Sequence, residues 1–349
     1  MDILKQLCGS LKPLHEAAME QAAQRISQLT KPPGSLGKLE ETAVRMAGIT
    51  GSLNPDLNKK AVVVMAGDHG VCEEGVSAFP QEVTTQMVQN MLSDGAAVNV
   101  FARQAGADVF CVDVGMREEL ADPRLIARNV RRGTDNIAKG PAMTRREAAC
   151  AIWTGVETVR ELAEKGYRLF ATGEMGIGNT TPSSAVLSAL TGIPVEANVG
   201  RGTGIDDFTL RRKRDVVMEA LRVNQPDMTD ALGVLSKVGG LEIAGLAGVV
   251  LGCAYLRLPV VIDGFISTVA ALCATRIAPM SRDFLFASHR SQEKGHAAAL
   301  ESMELTPMLE LGMRLGEGTG AVLAFTLLEA SIRMMNEMAT FESAGISKA

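Results

Sequence analysis

Two patterns of hydrophobic and polar residues alternate along the chain. Short runs of apolar, often β-branched residues occur at positions 61–66, 108–115, 168–173 and 259–263. Between them lie longer segments in which Leu, Ile, Val and Met recur at spacings of three and four, the period of an amphipathic helix. Continuous apolar strands separated by helices are typical of a parallel sheet that is covered by helices on both faces. The sequence therefore predicts an α/β fold.

The helical pattern also predicts how the chain is divided. The first fifty residues have helical spacing, interrupted by a turn-forming cluster at 31–37, KPPGSLG. Because both chain ends fall outside the strand–helix alternation, residues 1–45 and 330–349 are expected to form a small helical domain. Residues 46–329 are expected to form a large α/β domain. The helices expected after the first strand are 80–104, 144–165, 182–190, 207–222, 243–256, 265–277 and 319–338.

Composition narrows the class of protein. Of the 349 residues, 46% are apolar and 21% are charged, as in a globular protein with a sizeable core. The net charge is −5 and no long block of like charge occurs, so a nucleic-acid surface is not expected. The longest charge-free apolar stretch, 243–256, is too short to span a membrane. The N-terminus lacks the pattern of a signal peptide, and none of the six cysteines forms a CxxC pair. We therefore expect a cytoplasmic protein with reduced thiols.

Several polar residues directly follow the predicted strands, where ligands bind in parallel α/β sheets. Asp68, His69, Asp113 and Asp263 occupy such positions, and His289 lies further along the chain. They include metal-ligand residue types, but no His-x-His or Asp-x-Asp spacing supports a metal site, and none is expected. We expect instead that the carboxylates of Asp68 and Asp263 cap loop N–H groups or hold a sugar hydroxyl.

The strongest motif is the segment TGEMGIGNTTP at 172–182, which follows a strand and opens a helix. Thr181 is expected at the N-cap and Pro182 at the first helical position. Glycines allow a ligand close to the backbone, and the free N–H groups of a helix start attract an anion such as phosphate. The alternative is a tight turn without a ligand, but such a turn has no need for the carboxylate of Glu174.

Two further glycine-rich segments precede helices. In RLGEGTGA at 314–321, glycines flank Glu317 and leave its carboxylate open to a ligand. Such a carboxylate could serve as a base if burial raises its pKa, or it could simply cap the helix. The segment GRGTGID at 200–206 precedes the helix that carries Lys213. It either directs N–H groups and a cation to a phosphate, or is a solvated loop before a charged surface helix.

Five motifs occur in the same order as in the nicotinate-nucleotide–dimethylbenzimidazole phosphoribosyltransferases. The resemblance extends over essentially the whole chain. That family transfers phosphoribose from nicotinate mononucleotide to 5,6-dimethylbenzimidazole, which yields α-ribazole 5′-phosphate and nicotinate in the assembly of the nucleotide loop of cobalamin. The motifs are KPPGSLG (31–37), GDHGV (67–71), GEMGIGNTT (173–181), SKVGG (236–240) and RLGEG (314–318).

The resemblance implies a Rossmann-like parallel sheet, a small helical domain formed by both chain ends, a homodimer, and no cofactor or metal. It implies that Glu317 is the general base and that Glu174 lies in the same pocket. The residues that it implies for the nucleotide and its phosphate are Gly176, Gly202, Thr203, Lys213, Ser291, Arg314 and Gly316. Those that it implies for the pocket of the base are Phe79, Met87, Met175 and Leu315.

The pocket of the base departs from the better-known enterobacterial pattern. Phe79 and Met87 stand where polar residues face the benzimidazole there. The pocket is therefore expected to be more apolar, which leaves the acceptor open between a benzimidazole, a substituted relative, a phenol and a purine.

Two other functions are compatible with parts of the pattern. One is a metal-dependent phosphoesterase that uses Asp68, His69, Asp113 and Asp263, and its activity would be lost on chelation. The other is a nucleotide-binding sensor without turnover, although such a sensor has no need for both Glu174 and Glu317.

Overall fold

Six parallel strands form one sheet in a computed structural model that describes residues 2–347. The strands are β1 (Lys60–Gly67), β2 (Ala107–Gly115), β3 (Ile126–Ala127), β4 (Leu169–Met175), β5 (Val260–Ile262) and β6 (Leu285–Ala287). Their order across the sheet is β3-β2-β1-β4-β5-β6, the order of a Rossmann fold. The connections change direction between β1 and β4, and doubly wound sheets bind ligands beyond the strand ends at this point.

Helices cover both faces of the sheet. The α-helices are α1 (Asp2–Gly9), α2 (Glu16–Ser27), α3 (Lys38–Thr50), α4 (Val83–Leu92), α5 (Ala97–Ala105), α6 (Arg145–Glu164), α7 (Thr180–Thr191), α8 (Val195–Asn198), α9 (Asp207–Asn224), α10 (Ala231–Val238), α11 (Leu241–Tyr255), α12 (Phe265–Ile277), α13 (His296–Glu301), α14 (Thr319–Glu337) and α15 (Phe341–Ala344). Helices α4, α5 and α14 pack on one face, and α11 and α12 pack on the other, with α6 against α11. The 3-10 helices Gly70–Glu74 and Pro279–Phe284 complete the connections.

The predicted α/β class and the four predicted strands are confirmed. Every residue of β1 and β4 is buried, which explains why these strands are mostly apolar rather than alternating between apolar and polar residues. The sequence pattern does not predict β3, with two residues, or β6, with three. Segments this short carry too few positions for a periodic signal.

The segment 80–104, predicted as one helix, consists of two. α4 ends at Leu92 and α5 begins at Ala97. Between them Asp94 has a φ of +60°, and a Cβ on Gly95 would lie 2.3 Å from Oδ1 of Asn90. The prediction of one continuous helix is wrong because helical spacing of apolar residues resumes beyond this turn.

The predicted start of α7 is also wrong. Asn179 holds the N-cap position and the helix begins at Thr180, so Thr181 and Pro182 lie inside the first turn. The side chain of Asn179 makes no capping hydrogen bond, and its Nδ2 donates to the carboxylate of Glu174.

The two chain ends pack against each other. Leu29 forms an isolated antiparallel bridge with Thr340, and the guanidinium of Arg25 donates to the carbonyl oxygen of Met338 at 3.0 Å. Helix α14 crosses the predicted boundary at 329/330 without a break. A separate small helical domain of residues 1–45 and 330–349 therefore stays a prediction, and residues 1, 348 and 349 lie outside the described residues.

Within residues 2–347, no helix has the length and apolar character needed to cross a membrane. All six cysteines are free thiols. Cys111, Cys253 and Cys273 are buried, Cys8 and Cys72 are half-buried, and Cys150 is exposed.

Backbone contact between α6 and α11 sets the thickness of one helical layer. A Cβ on Gly155 would lie 2.0 Å from the carbonyl oxygen of Gly245, and a Cβ on Gly248 would lie 1.9 Å from that of Ile152. Neither backbone can yield without separating the helices.

We expect Gly155→Ala to lower the free energy of unfolding by about 1–3 kcal/mol, the range for overpacking a core. Urea unfolding followed by circular dichroism measures this change. Gly140→Ala is the matched control, because a Cβ there meets nothing within 4 Å. Equal stability of the two variants would contradict the close crossing of α6 and α11.

Candidate active site

A cavity of about 430 Å³ opens beyond the carboxyl ends of β4 and β5. Most of its wall is formed by residues 174–180, which run from the last two residues of β4 into the start of α7, by residues 264–267 at the start of α12, and by residues 314–317 before α14. The beginning of α4 and residues of the loops before α9 and α13 complete it. This is the place where a doubly wound sheet binds its ligand.

All of the predicted site residues except Lys213 line this cavity. They are Glu174, Glu317, Gly176, Gly202, Thr203, Ser291, Arg314, Gly316, Phe79, Met87, Met175 and Leu315. Lys213 lies directly behind the wall, because its Nζ donates to Oγ1 of Thr180 at 2.6 Å and Thr180 lines the cavity.

The structure adds residues that the sequence does not single out. Asn179 and Thr180 line the cavity, as do Glu293 and the first turn of α12, residues 264–267. Asn179 and Thr180 belong to the motif at 172–182, but their local pattern indicates only a helix start. The first turn of α12 has an apolar sequence, so its pattern indicates buried core rather than a site.

The loop before α14 has an unusual backbone. Gly316, Glu317 and Gly318 have φ angles of +90°, +64° and +93° in succession. Glutamate rarely adopts this left-handed conformation, which costs on the order of 1–3 kcal/mol unless the surroundings impose it. A Cβ on Gly173 would lie 2.5 Å from the carbonyl oxygen of Glu317, so β4 abuts this loop directly.

Asp263 at the end of β5 holds this loop in place. Its carboxylate accepts hydrogen bonds from the N–H groups of Gly318 at 3.1 Å, Gly320 at 2.7 Å and Ala321 at 3.0 Å. It therefore satisfies the free N–H groups at the start of α14 from a different element of the fold. The prediction that Asp263 caps loop N–H groups is confirmed.

Glu174 is a buried carboxyl group with two hydrogen-bond donors. Asn179 Nδ2 donates to its Oε2, and the backbone N–H of Glu317 donates to its Oε1 at 3.3 Å. Burial, together with the negative charge of Asp263, raises the pKa of Glu174 to about 8, although Asn179 opposes the shift. At neutral pH the empty site therefore holds Glu174 mainly as the neutral acid.

Glu317 combines a raised pKa with an unused acceptor. Burial and the negative charge of Asp263 raise the pKa of Glu317, while the backbone N–H of Val98 opposes the shift. Among the described residues, no hydrogen-bond donor reaches its Oε2. A carboxylate with increased basicity and a free oxygen is suited to accept a proton from a ligand.

The opposite end of the cavity has a buried cation. Lys213 is only 1% exposed, and burial lowers its pKa to about 8 although Glu293 opposes the shift. Within residues 2–347, no carboxylate forms an ion pair with it inside 4 Å. The alternative of a purely charged surface helix is wrong for this residue of α9, because its side chain turns inward.

The glycine-rich segment 200–206 is attached to the cavity wall on two sides. Arg314 Nη1 donates to the carbonyl oxygen of Gly202 at 3.0 Å, and Oγ1 of Thr203 accepts from the N–H of Ala78 at 3.1 Å. A Cβ on Gly202 would lie 3.1 Å from Nζ of Lys213. The glycine therefore leaves space beside the ammonium group.

Apolar side chains line a third part of the cavity. Met87 and Met175 lie with Val83 along its wall, and Phe79 and Leu315 stand at its mouth. More than half of the surface of Phe79 and Leu315 is exposed, at 52% and 58%. These side chains can make apolar contacts with a flat ring, and they present no polar group to it.

The residues of the alternative metal site have protein partners instead. Asp68 accepts from the backbone N–H of Arg117 at 2.9 Å, as predicted for a loop cap, and Asp113 accepts from that of Met116 at 2.8 Å. Burial lowers the pKa of His69, but the carboxylate of Glu242, whose Oε1 lies 2.9 Å from Nε2 of His69, raises it by more. The net pKa of His69 is therefore raised. In the described part of the chain, no three His, Cys, Asp or Glu side chains form a group that could hold a metal ion.

The sheet is Rossmann-like, and its cavity has carboxyl groups in one part and a buried lysine beside glycine-rich N–H groups in another. This combination is typical of an enzyme that acts on a phosphorylated sugar. Comparison with known proteins defines the class further. The family model described as phosphoribosyltransferase matches residues 11–346.

Relatives of known name match over the full length. The nicotinate-nucleotide–dimethylbenzimidazole phosphoribosyltransferases of Geobacter sulfurreducens and Desulforamulus reducens are each 53% identical, and the matches cover 100% of this chain and 99% and 100% of theirs. The crystal structure of CobT from Thermus thermophilus superposes with a TM-score of 0.92 at 51% identity, covering 95% of this chain and 100% of that one. The chain belongs to the nicotinate-nucleotide–dimethylbenzimidazole phosphoribosyltransferase family and is a pentosyltransferase.

The raised pKa of Glu174 predicts a pH-dependent stability. Its pKa rises from 4.5 to about 8 in the folded state, so the folded protein keeps a proton that the unfolded chain loses. Stability should therefore fall as the pH rises from 4.5 to about 8, and Glu174→Gln should remove this loss. We expect the variant to exceed the wild type by on the order of 2–4 kcal/mol at about pH 9, with little difference at about pH 4.

Urea unfolding at both pH values, followed by circular dichroism, measures this difference. Glu301→Gln is the control, because Glu301 is exposed at the end of α13. A difference between Glu174→Gln and wild type that is the same at both pH values would mean that Glu174 titrates normally.

Proposed function

We propose that this enzyme transfers phosphoribose from nicotinate mononucleotide to 5,6-dimethylbenzimidazole or a closely related base, which forms α-ribazole 5′-phosphate and nicotinate for the nucleotide loop of cobalamin. One observation carries the proposal: a basic carboxylate, Glu317, lines the cavity, and a buried ammonium group, Lys213, lies directly behind another part of its wall. The printed names of the relatives, which state a nicotinate nucleotide and dimethylbenzimidazole, support it.

The leaving group requires no acid from the protein. Nicotinate in the mononucleotide is a pyridinium, so when the bond from C1′ of ribose to the pyridine nitrogen breaks, the electron pair neutralises that nitrogen. The ribose carbon develops oxocarbenium character. A ring nitrogen of the incoming base forms the new bond from the opposite face, which inverts C1′ to the α configuration.

Glu317 is the general base of this step. The attacking imidazole ring would become a cation if it kept both its proton and its new bond. Transfer of the proton from the other ring nitrogen to the carboxylate of Glu317 keeps the ring neutral. The raised pKa of Glu317 and its unpartnered Oε2 fit this role.

Glu174 is proposed to stabilise positive charge. In the empty site its raised pKa favours the neutral acid. A pyridinium or an oxocarbenium nearby favours the carboxylate, so substrate binding would release its proton and place a negative charge beside the reacting carbon. Asn179 then keeps one carboxylate oxygen oriented through its amide.

The phosphate is proposed to bind at the other end of the cavity. Lys213 supplies the positive charge. The backbone around Gly176, Gly202 and Thr203 supplies N–H groups, and at the two glycines no side chain blocks access to them. Ser291 adds a hydroxyl. Arg314 contributes indirectly because it holds the carbonyl group of Gly202, and Gly316 lies beside Glu174, where a Cβ would be 2.3 Å from Oε1.

The acceptor base is proposed to lie among Phe79, Met87, Met175 and Leu315. Because these side chains present no hydrogen-bonding group, they select a flat apolar ring and discriminate weakly between ring heteroatoms. A homodimer, which the family resemblance implies, and a cytoplasmic location, which the sequence predicts, belong to the same proposal.

The reaction is tested by chromatography of purified protein with nicotinate mononucleotide and a panel of benzimidazoles, phenols and adenine, in the presence of a chelator. Release of nicotinate with formation of an α-riboside phosphate is the expected result, and the rates rank the bases. Binding of the nucleotide without product from any base would instead favour the sensor, and activity lost on chelation would favour the phosphoesterase.

Replacing the general base Glu317 should reduce turnover without preventing nicotinate mononucleotide from binding. We expect Glu317→Gln to lower kcat by about two to four orders of magnitude, the contribution of a general base. Calorimetric binding of nicotinate mononucleotide should be nearly unchanged. Glu310→Gln, an exposed carboxylate in the same loop, is the control and should retain wild-type turnover. Full activity of Glu317→Gln would remove the residue from the role of base.

Removing the buried cation should affect one substrate only. We expect Lys213→Ala to raise KM for nicotinate mononucleotide at least about tenfold, since a charge-assisted hydrogen bond to phosphate is lost, and to leave KM for the base nearly unchanged. Initial rates with each substrate varied in turn measure both constants. Arg211→Ala, an exposed cation on the same helix, is the control. An equal rise in both constants would place the phosphate elsewhere.

A further inference from the structure

The loop that carries Ser291 is held by a buried histidine. Ser291 lies between β6 and α13 and lines the cavity. Its backbone N–H donates to Nδ1 of His296 at 2.8 Å, and its Oγ accepts from the N–H of Glu293 at 3.2 Å. The hydroxyl hydrogen is therefore the donor of Ser291 that is left for a ligand.

His296 connects this loop to α12, whose start lines the cavity. The ring is fully buried at the start of α13, and its Nε2 lies 2.9 Å from Oγ1 of Thr268, the residue of α12 that follows Ser267. Because Nδ1 accepts a hydrogen bond, it carries no hydrogen, so the neutral ring has its hydrogen on Nε2 and donates to Thr268.

The charge state of this ring is constant over the working pH range. Burial, together with the nearby His289 and Arg290, lowers the pKa of His296 to about 3. Nδ1 therefore keeps its lone pair for the N–H of Ser291 at any pH near neutrality. The connection between α12 and the Ser291 loop is a fixed feature rather than a switch.

We propose that His296 is a positioning residue that, through Thr268 on one side and the N–H of Ser291 on the other, orients the Ser291 hydroxyl as a donor toward the phosphate of the substrate. The inference rests on the proposed function, because it requires the phosphate to lie at this end of the cavity. It assigns no contact between His296 and the substrate.

Two substitutions of His296 separate positioning from simple packing. Asparagine can place an acceptor close to the position of Nδ1, whereas glutamine places its amide near the position of Nε2. We expect His296→Gln to raise KM for nicotinate mononucleotide about five- to tenfold, the equivalent of one neutral hydrogen bond, and His296→Asn to raise it less. For both, kcat and KM for the base should stay within about twofold of wild type.

Nicotinate riboside, which lacks the phosphate, is the discriminating probe. The variants should use it as well as the wild type does, because the oriented hydroxyl has no phosphate to bind. In a background of Ser291→Ala, the His296 substitutions should add less than about a twofold effect, since coupled residues are not additive. An equal loss with the riboside, or full additivity with Ser291→Ala, would overturn the proposal.

Thr268→Val keeps the test decisive if the His296 variants fail to fold. It removes the hydroxyl partner of His296 with little change in volume, and it should raise KM for the mononucleotide about threefold or more. Thr158→Val is the matched control, because Thr158 is a buried helical threonine of α6 whose hydroxyl donates only to the carbonyl oxygen of Thr154. Unchanged KM in Thr268→Val would overturn the proposal.

Failure of the proposed function would be visible separately. In that case the wild type releases no nicotinate, so KM cannot be used. The affinity for nicotinate mononucleotide is then measured by calorimetry for wild type, His296→Gln and Thr268→Val. Weaker binding by both variants supports the positioning role without the reaction. Equal binding by all three, or no binding by the wild type, overturns it.

Discussion

The carboxylate of Asp263 connects the sheet to the chemistry of the cavity. It lies at the end of β5 and accepts hydrogen bonds from three N–H groups, two in the first turn of α14 and one in the residue before it. Without these acceptors the start of α14 would leave buried donors unsatisfied, and the left-handed backbone at 316–318 would lose its restraint. The left-handed conformation of Glu317 and the backbone hydrogen bond from Glu317 to Glu174 depend on these capping hydrogen bonds. Burial raises the pKa of Glu317, and the negative charge of Asp263 adds to this effect.

The carboxylate of Asp263 also affects how charge is distributed in the cavity. Burial and then the negative charge of Asp263 make Glu174 and Glu317 bind protons more tightly than they would in water. Burial lowers the pKa of Lys213, and the charge that chiefly opposes this shift is that of Glu293. A substrate that is cationic at its sugar–base bond and anionic at its phosphate fits this polarity in one orientation only.

The sequence predicted the sheet and most of the site, and the failures have physical causes. Buried parallel strands such as β1 are mostly apolar, which makes them visible in the sequence. Glycine-rich segments before helices mark the places where a ligand can approach the backbone, so Glu174 and Glu317 could be found from their neighbours. The turn at Asp94 and the strands β3 and β6 are too short for a periodic pattern. The inward direction of Lys213, among the exposed arginines of α9, depends on tertiary packing that no local pattern encodes. The hydrogen bonds of His296 join residues that are distant along the chain, and only the fold reveals them.

Glu174 and Lys213 share a pKa of about 8 although one is an acid and the other a base. In the empty cavity each is close to the point at which it exchanges a proton. Under the proposed function, a pyridinium cation drives Glu174 to release its proton, and a phosphate drives Lys213 to hold one firmly. The two responses are opposite in sign. They cancel near pH 8, the pKa of both groups, whereas at neutral pH Glu174 releases more protons than Lys213 takes up, because Lys213 is then already mostly charged. Binding the nucleotide thus redistributes protons between two parts of one pocket, and its affinity varies least with pH where the release and the uptake are equal.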